Sequence, residues 1–153
     1  MEDIIKRVNE NKIGIFNRKS ELIIFVDEDI SDIIGDNRIY ISEFIISKVK
    51  GRIKGFAGHT KITDEILLKV PNNLSNPYKI LQDTRRKTKK EYLFINTDPL
   101  HQIVVEVGRK YNGLTEINTI FDSTYEELKR LEGKLPTVFS SGETPISRIR
   151  ASL

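Results

Sequence analysis

Gln102-Ile103-Val104-Val105-Glu106-Val107 is the run on which the fold turns. Its alternation is imperfect, but Ile103, Val105 and Val107 fall on one face of an extended chain, the period-two pattern of a strand with one buried side. It stands third among four strand-like segments at near-regular spacing: Tyr78–Gln82, Glu91–Asn96, Gln102–Val107 and Leu114–Phe121. The connections between them are turn-like: the basic run Arg85-Arg86-Lys87-Thr88-Lys89-Lys90, then Thr97-Asp98-Pro99, then Arg109–Gly113. Strands joined in this way predict an antiparallel meander.

Working outward, Ser123–Glu132 predicts a short helix, capped by Ser123 or Thr124, with Tyr125, Leu128 and Leu131 as its apolar stripe. Pro136 and Pro145 leave the stretch after Leu135 irregular, with room for one short strand. Upstream of the meander, Thr63 caps a helix with acids in its first turn, and Pro71 is expected to end it. Ser42 caps an earlier helix that carries Phe44, Ile45, Lys48 and Val49 at helical spacing. Gly51, Gly55 and Gly58 break regular structure between the two. Glu2–Val8 reads as a short helix, Lys12–Phe16 and Glu21–Val26 as a hairpin around Asn17-Arg18-Lys19-Ser20, and Arg38–Ile41 as a further strand.

The class expected is α+β: N-terminal helices and a small hairpin, then a four-stranded antiparallel meander sheet packed on helices. Residues 1–50 are expected to form an accessory region, within the same domain or as a small subdomain, with 51–135 the α+β core and 136–153 an irregular tail. At 153 residues the chain is long enough for one hydrophobic core without staples. No apolar run approaches the roughly 20 residues of a membrane span, and the start lacks the pattern of a signal peptide. With no cysteine there is no disulfide framework. The expected location is the cytoplasm, or delivery outside it by a phage-like route, and no membrane is expected as a partner.

The chemistry has few places to live. The chain has no glycine-rich phosphate loop and no metal-ligand cluster, so no cofactor or metal is expected. It has two histidines, His59 and His101, the side chains whose ordinary pKa lies near neutrality. His59 and Lys61 precede the Thr63-capped helix, whose N-terminal N–H groups suit an anion. Charge is uneven: residues 1–50 carry 8 Lys/Arg against 10 Asp/Glu, whereas residues 51–153 carry 17 against 12. The positive balance peaks at 85–90, a patch that suits a phosphate-rich partner.

From about Gly55 to Phe121 the chain resembles the phage-associated nucleases of the barnase–EndoU–colicin–RelE fold superfamily. The features that carry the resemblance are His59, the helix Asp64–Val70, the segment Pro71-Asn72-Asn73-Leu74-Ser75-Asn76-Pro77, the strand Gln102–Val107, and Ile117-Asn118-Thr119-Ile120-Phe121. The resemblance implies a metal-independent, toxin-like endoribonuclease that uses the RNA 2′-hydroxyl to attack the adjacent phosphate. Such chemistry needs an acid or base, cations for the phosphorane and a hydroxyl to position the phosphate. The implied catalytic residues are His59, Arg86 and Thr119. Lys61, Arg85, Lys87, Lys89 and Lys90 would hold RNA phosphates, and Tyr78 and Tyr92 would stack on bases. RNA and an immunity or antitoxin protein are the implied partners.

Each assignment has a plainer alternative. His59 is then a loop residue bonded to backbone, Thr119 a routine strand former, Tyr92 a packing residue, and the basic run a solvated connection. No second histidine is placed beside His59; Glu65 and Glu106 are possible partner carboxylates that spacing does not choose between. The alternative function is a non-catalytic nucleic-acid-binding or adaptor domain that uses Arg85–Lys90 as a phosphate clamp.

Overall fold

The computed structural model describes residues 1–10, 21–51, 58, 62–85, 89–97, 102–110 and 113–141. In chain order these form α1 (Glu2–Glu10), β1 (Glu21–Phe25), α2 (Glu28–Ile34), β2 (Arg38–Ser42), α3 (Glu43–Val49), α4 (Asp64–Ser75), β3 (Lys79–Asp83), β4 (Glu91–Thr97), β5 (Gln102–Arg109), β6 (Thr115–Ser123), α5 (Tyr125–Lys134) and β7 (Thr137–Ser140).

The class is α+β, but the expected four-stranded meander sheet is corrected to a mixed sheet of seven strands, in the order β1-β2-β6-β5-β4-β3-β7. β3 to β6 are antiparallel neighbours in sequence order. β7 extends this unit beyond β3. At the other side β2 pairs in parallel with β6, through Tyr40 and Glu116, and β1 pairs antiparallel with β2. Glu21–Phe25 takes Arg38–Ser42 as a partner, and Lys12–Phe16, the other half of the expected hairpin, lies outside the described residues. Alternation identifies a strand but carries no address for its partner, so a pairing between segments some 75 residues apart leaves no local signal.

The two faces of the sheet are covered unequally. On one, α1, α3 and α4 bury Ile4, Ile5, Val8, Ile45, Ile46, Val49, Leu67, Val70 and Leu74 against Ile80, Tyr92, Phe94, Val105 and Val107. On the other, α5 sets Leu128, Leu131 and Leu135 on Tyr78, Leu81, Leu93, Ile95 and Val104. β4 lies between both layers, and all seven of its residues are buried. α5 covers only part of its face; toward the β1 edge Ile23 and Phe25 stay exposed.

Local chemistry sets the helix starts. Ser42 Oγ accepts from Ile45 N–H at 3.2 Å, Thr63 Oγ1 from Ile66 N–H at 3.3 Å and Thr124 Oγ1 from Glu127 N–H at 3.1 Å, each satisfying an amide that has no intrahelical partner. α4 does not end at Pro71 as expected but runs on to Ser75. A proline inside a helix removes one hydrogen bond and crowds the preceding turn. Here continuation brings Leu74 onto the stripe of Ile66, Leu67 and Val70, and its complete burial offsets that cost.

α2, about 10 Å long, follows β1 at one edge and also touches β7 at the other. Seven flat strands would span about 29 Å, so the sheet curls around this helix. α2 ends in Gly35, whose φ of 78° is the left-handed cap and whose N–H donates to the Ser31 carbonyl at 2.8 Å.

Gly58 has a φ of 75°, and a Cβ there would lie 2.4 Å from Gly51 N and 2.8 Å from the Val49 carbonyl oxygen. Both contacts are backbone and cannot yield as a flexible side chain would. Gly58→Ala is therefore expected to cost about 2 kcal/mol or more in urea unfolding, from left-handed strain plus the clash. An unchanged midpoint would contradict this close packing of residue 58 on the end of α3.

Candidate phosphate-binding cleft

The register aligns Asp83, Glu91, Gly108 and Glu116 as one row across β3, β4, β5 and β6. Just beyond this row lie Arg85, Lys89, Lys90, Arg109 and Lys110, all exposed. They form a cationic strip along one end of the sheet. Arg85, Lys89 and Lys90 belong to the basic run evident in the sequence, whereas the sequence pattern puts Arg109 and Lys110 in a turn. Their place in the strip depends on the antiparallel pairing of β4 with β5, which sets Gly108 beside Glu91.

The strip has two sides. Lys90 and Arg109 line a cleft of about 250 Å³ with Tyr92, Thr115, Asp32 and the end of α2. Among the described residues neither cation is in an ion pair. Tyr92 is 8% exposed, and its hydroxyl makes no hydrogen bond to any described residue. Thr115, opposite Arg109 on β6, donates its hydroxyl to Asp36 Oδ2 at 3.1 Å, while Asp36 Oδ1 accepts from Arg38 N–H at 3.1 Å. Those bonds fix the turn after α2 to β6 and so hold the end of α2 over the cleft.

Arg85 is engaged elsewhere. Its Nε and Nη2 donate to the two oxygens of Asp83, each at 2.9 Å, a bidentate pair. These bonds push its pKa above the usual arginine value against a smaller opposing cost of burial, with Asp83, Glu106 and Glu91 adding attraction. Lys110 hydrogen-bonds Asn118, which also donates to Glu106 at 3.4 Å. Thr119 lies directly opposite Glu106, itself opposite Leu93, so it belongs to the face that carries α5.

The expected site residues are thus divided. Lys90 and Tyr92 come together in the cleft, with Lys89 on the exposed approach to it. Arg85 and Thr119 share the other face. Tyr78 and Tyr92 are both buried, on opposite faces, so they do not form one stacking platform. His59, Lys61, Arg86 and Lys87 lie outside the described residues, as does His101. Among the described residues no group of three His, Cys, Asp or Glu is placed to hold a metal ion, and no helix is long and apolar enough to cross a membrane.

Comparison of the chain with protein-family models, curated proteins and solved structures finds no match.

Tyr78 gives the fold a dependence on alkaline pH. Burial raises its phenol pKa, opposed by the neighbouring Lys79 ammonium and reinforced by Glu132. The unfolded chain ionises first, at about pH 10, so the contribution of Tyr78 is complete below that value and is lost as pH rises through the raised folded one. Tyr78→Phe is expected to flatten the fall of the urea midpoint between about pH 9 and 11; an identical slope in both proteins would contradict the burial of this phenol.

Proposed function

We propose that this protein binds RNA through the cationic end of its sheet. The observation that supports this reading is the proximity of Lys89 and Lys90, exposed just before β4, to Arg109, exposed at the end of the adjacent β5, beside an open cleft. Unpaired cations attract a polyanion and release its counterions, and that release makes such binding salt-dependent. Asp32 and the end of α2 bound the cleft on one side, which favours a narrow single-stranded segment over a wide duplex.

The binding of a single-stranded RNA decamer should weaken with salt. Replacing Lys89, Lys90 and Arg109 together with glutamine should lower the slope of log K against log salt by about 2, or about 0.7 for each lost phosphate contact. A slope unchanged by the triple substitution, or no RNA binding at low salt, would refute the proposal.

A second reading, RNA cleavage, is favoured by Thr119 opposite Glu106, with Arg85 in the field of the same carboxylate. A carboxylate base, a hydroxyl and a guanidinium are the groups that 2′-hydroxyl attack requires. In this reading His59 is the second acid–base group. Fragments from a labelled RNA, lost in both Glu106→Gln and His59→Ala, would support it; intact RNA after prolonged incubation with the native protein would leave the binding reading alone.

A further inference from the structure

The cleft under α2 combines features that a merely basic surface lacks. Lys90, just before β4, and Arg109, at the end of β5, flank it, the Tyr92 hydroxyl has no hydrogen-bond partner among the described residues, and Asp32 supplies a carboxylate from α2. Ile33 and Ile34 give it an apolar wall. Its volume of about 250 Å³ lies just below the usual range of small-molecule pockets, which suits a compact guest.

We propose that this cleft receives one phosphorylated ribonucleotide unit that ends in a phosphomonoester. The inference rests on the RNA-binding reading and deepens it by naming the unit recognised. Two cations match the charge of a phosphomonoester better than the single charge of an internal diester. The Tyr92 hydroxyl donates to a phosphate oxygen. The Asp32 carboxylate accepts from a ribose hydroxyl, a group that a deoxyribose lacks at its 2′ carbon. The base lies against Ile33 and Ile34. The bonds that Asp36 accepts from the Thr115 hydroxyl and the Arg38 N–H keep this wall in place without the ligand, so binding does not have to order it.

The same chemistry is offered by a free mononucleotide and by the end of an RNA strand. Calorimetry on the full chain should use adenosine and uridine monophosphates, phosphorylated at 5′ or at 3′, with the unphosphorylated nucleosides and the 2′-deoxy monophosphates as controls. An RNA decamer with and without a terminal phosphate completes the set. At least one monophosphate should bind, its nucleoside should not, and the deoxy form should be weaker. Tyr92→Phe, which keeps the core ring, should weaken monophosphate binding about tenfold, and Asp32→Ala, which removes the acceptor, should erase the ribose preference. A terminal phosphate that strengthens decamer binding by about the same factor identifies the strand end as a source; mononucleotide binding without that gain identifies the free nucleotide. If every monophosphate binds no better than its nucleoside, or Tyr92→Phe binds as the native protein does, the cleft inference is overturned even where decamer binding persists. Monophosphate binding without decamer binding overturns the RNA-binding reading and leaves the cleft standing.

Discussion

The parallel pairing of β2 with β6 is the constraint on which the rest depends. It joins β1, α2, β2 and α3 to the sheet, and the Thr115–Asp36 hydrogen bond fastens the same seam through side chains. Without that seam α2 would have no fixed position, and Lys90 and Arg109 would stand on an open strand end instead of beside a cleft. A parallel neighbour requires a crossover connection, and here the chain between β2 and β6 includes α3, α4 and three strands. The hydrophobic cluster that runs from Ile4 of α1 to Ile120 of β6 stabilises this long-range arrangement.

The sheet also separates charge by face. Asp83 and Glu91 are directly opposed on adjacent strands, which would repel if both were left unbalanced. The bidentate bond from Arg85 to Asp83 answers part of that repulsion and draws Arg85 onto the face that carries Glu106 and Thr119. Gly108 belongs to the same arrangement, since a Cβ there would meet Asn118 Nδ2 at 2.9 Å and Glu91 Cγ at 3.2 Å. On the opposite face Lys90 and Arg109 have no such carboxylate partners among the described residues. Within the described part of the basic run, Arg85 is thus paired with Asp83, whereas Lys89 and Lys90 have no ion-pair partner among the described residues.

The legible parts of the fold were those set by neighbours in the chain. The four meander segments and the caps Ser42, Thr63 and Thr124 show themselves through alternation and short-range hydrogen bonding. α2 is not legible as a helix, because seven residues carry too little periodicity. Pro71 misled for a different reason: a local cost was outweighed by the burial of Leu74, which sequence spacing does not display. For the site, Lys90 and Tyr92 are legible as a basic turn residue and an aromatic residue at the start of the strand that follows it. Arg109 became part of it through cross-strand register, and Asp32 through the curl of the sheet.

The most direct measurement is a titration of the isotopically labelled protein with a single-stranded RNA oligomer, followed by amide chemical shifts. The largest changes are expected on Lys89–Tyr92, Gly108–Lys110 and Ile33–Asp36, three segments separated in sequence that meet at one end of the sheet. Changes centred on α4 or α5, with those three segments unmoved, would contradict that expectation.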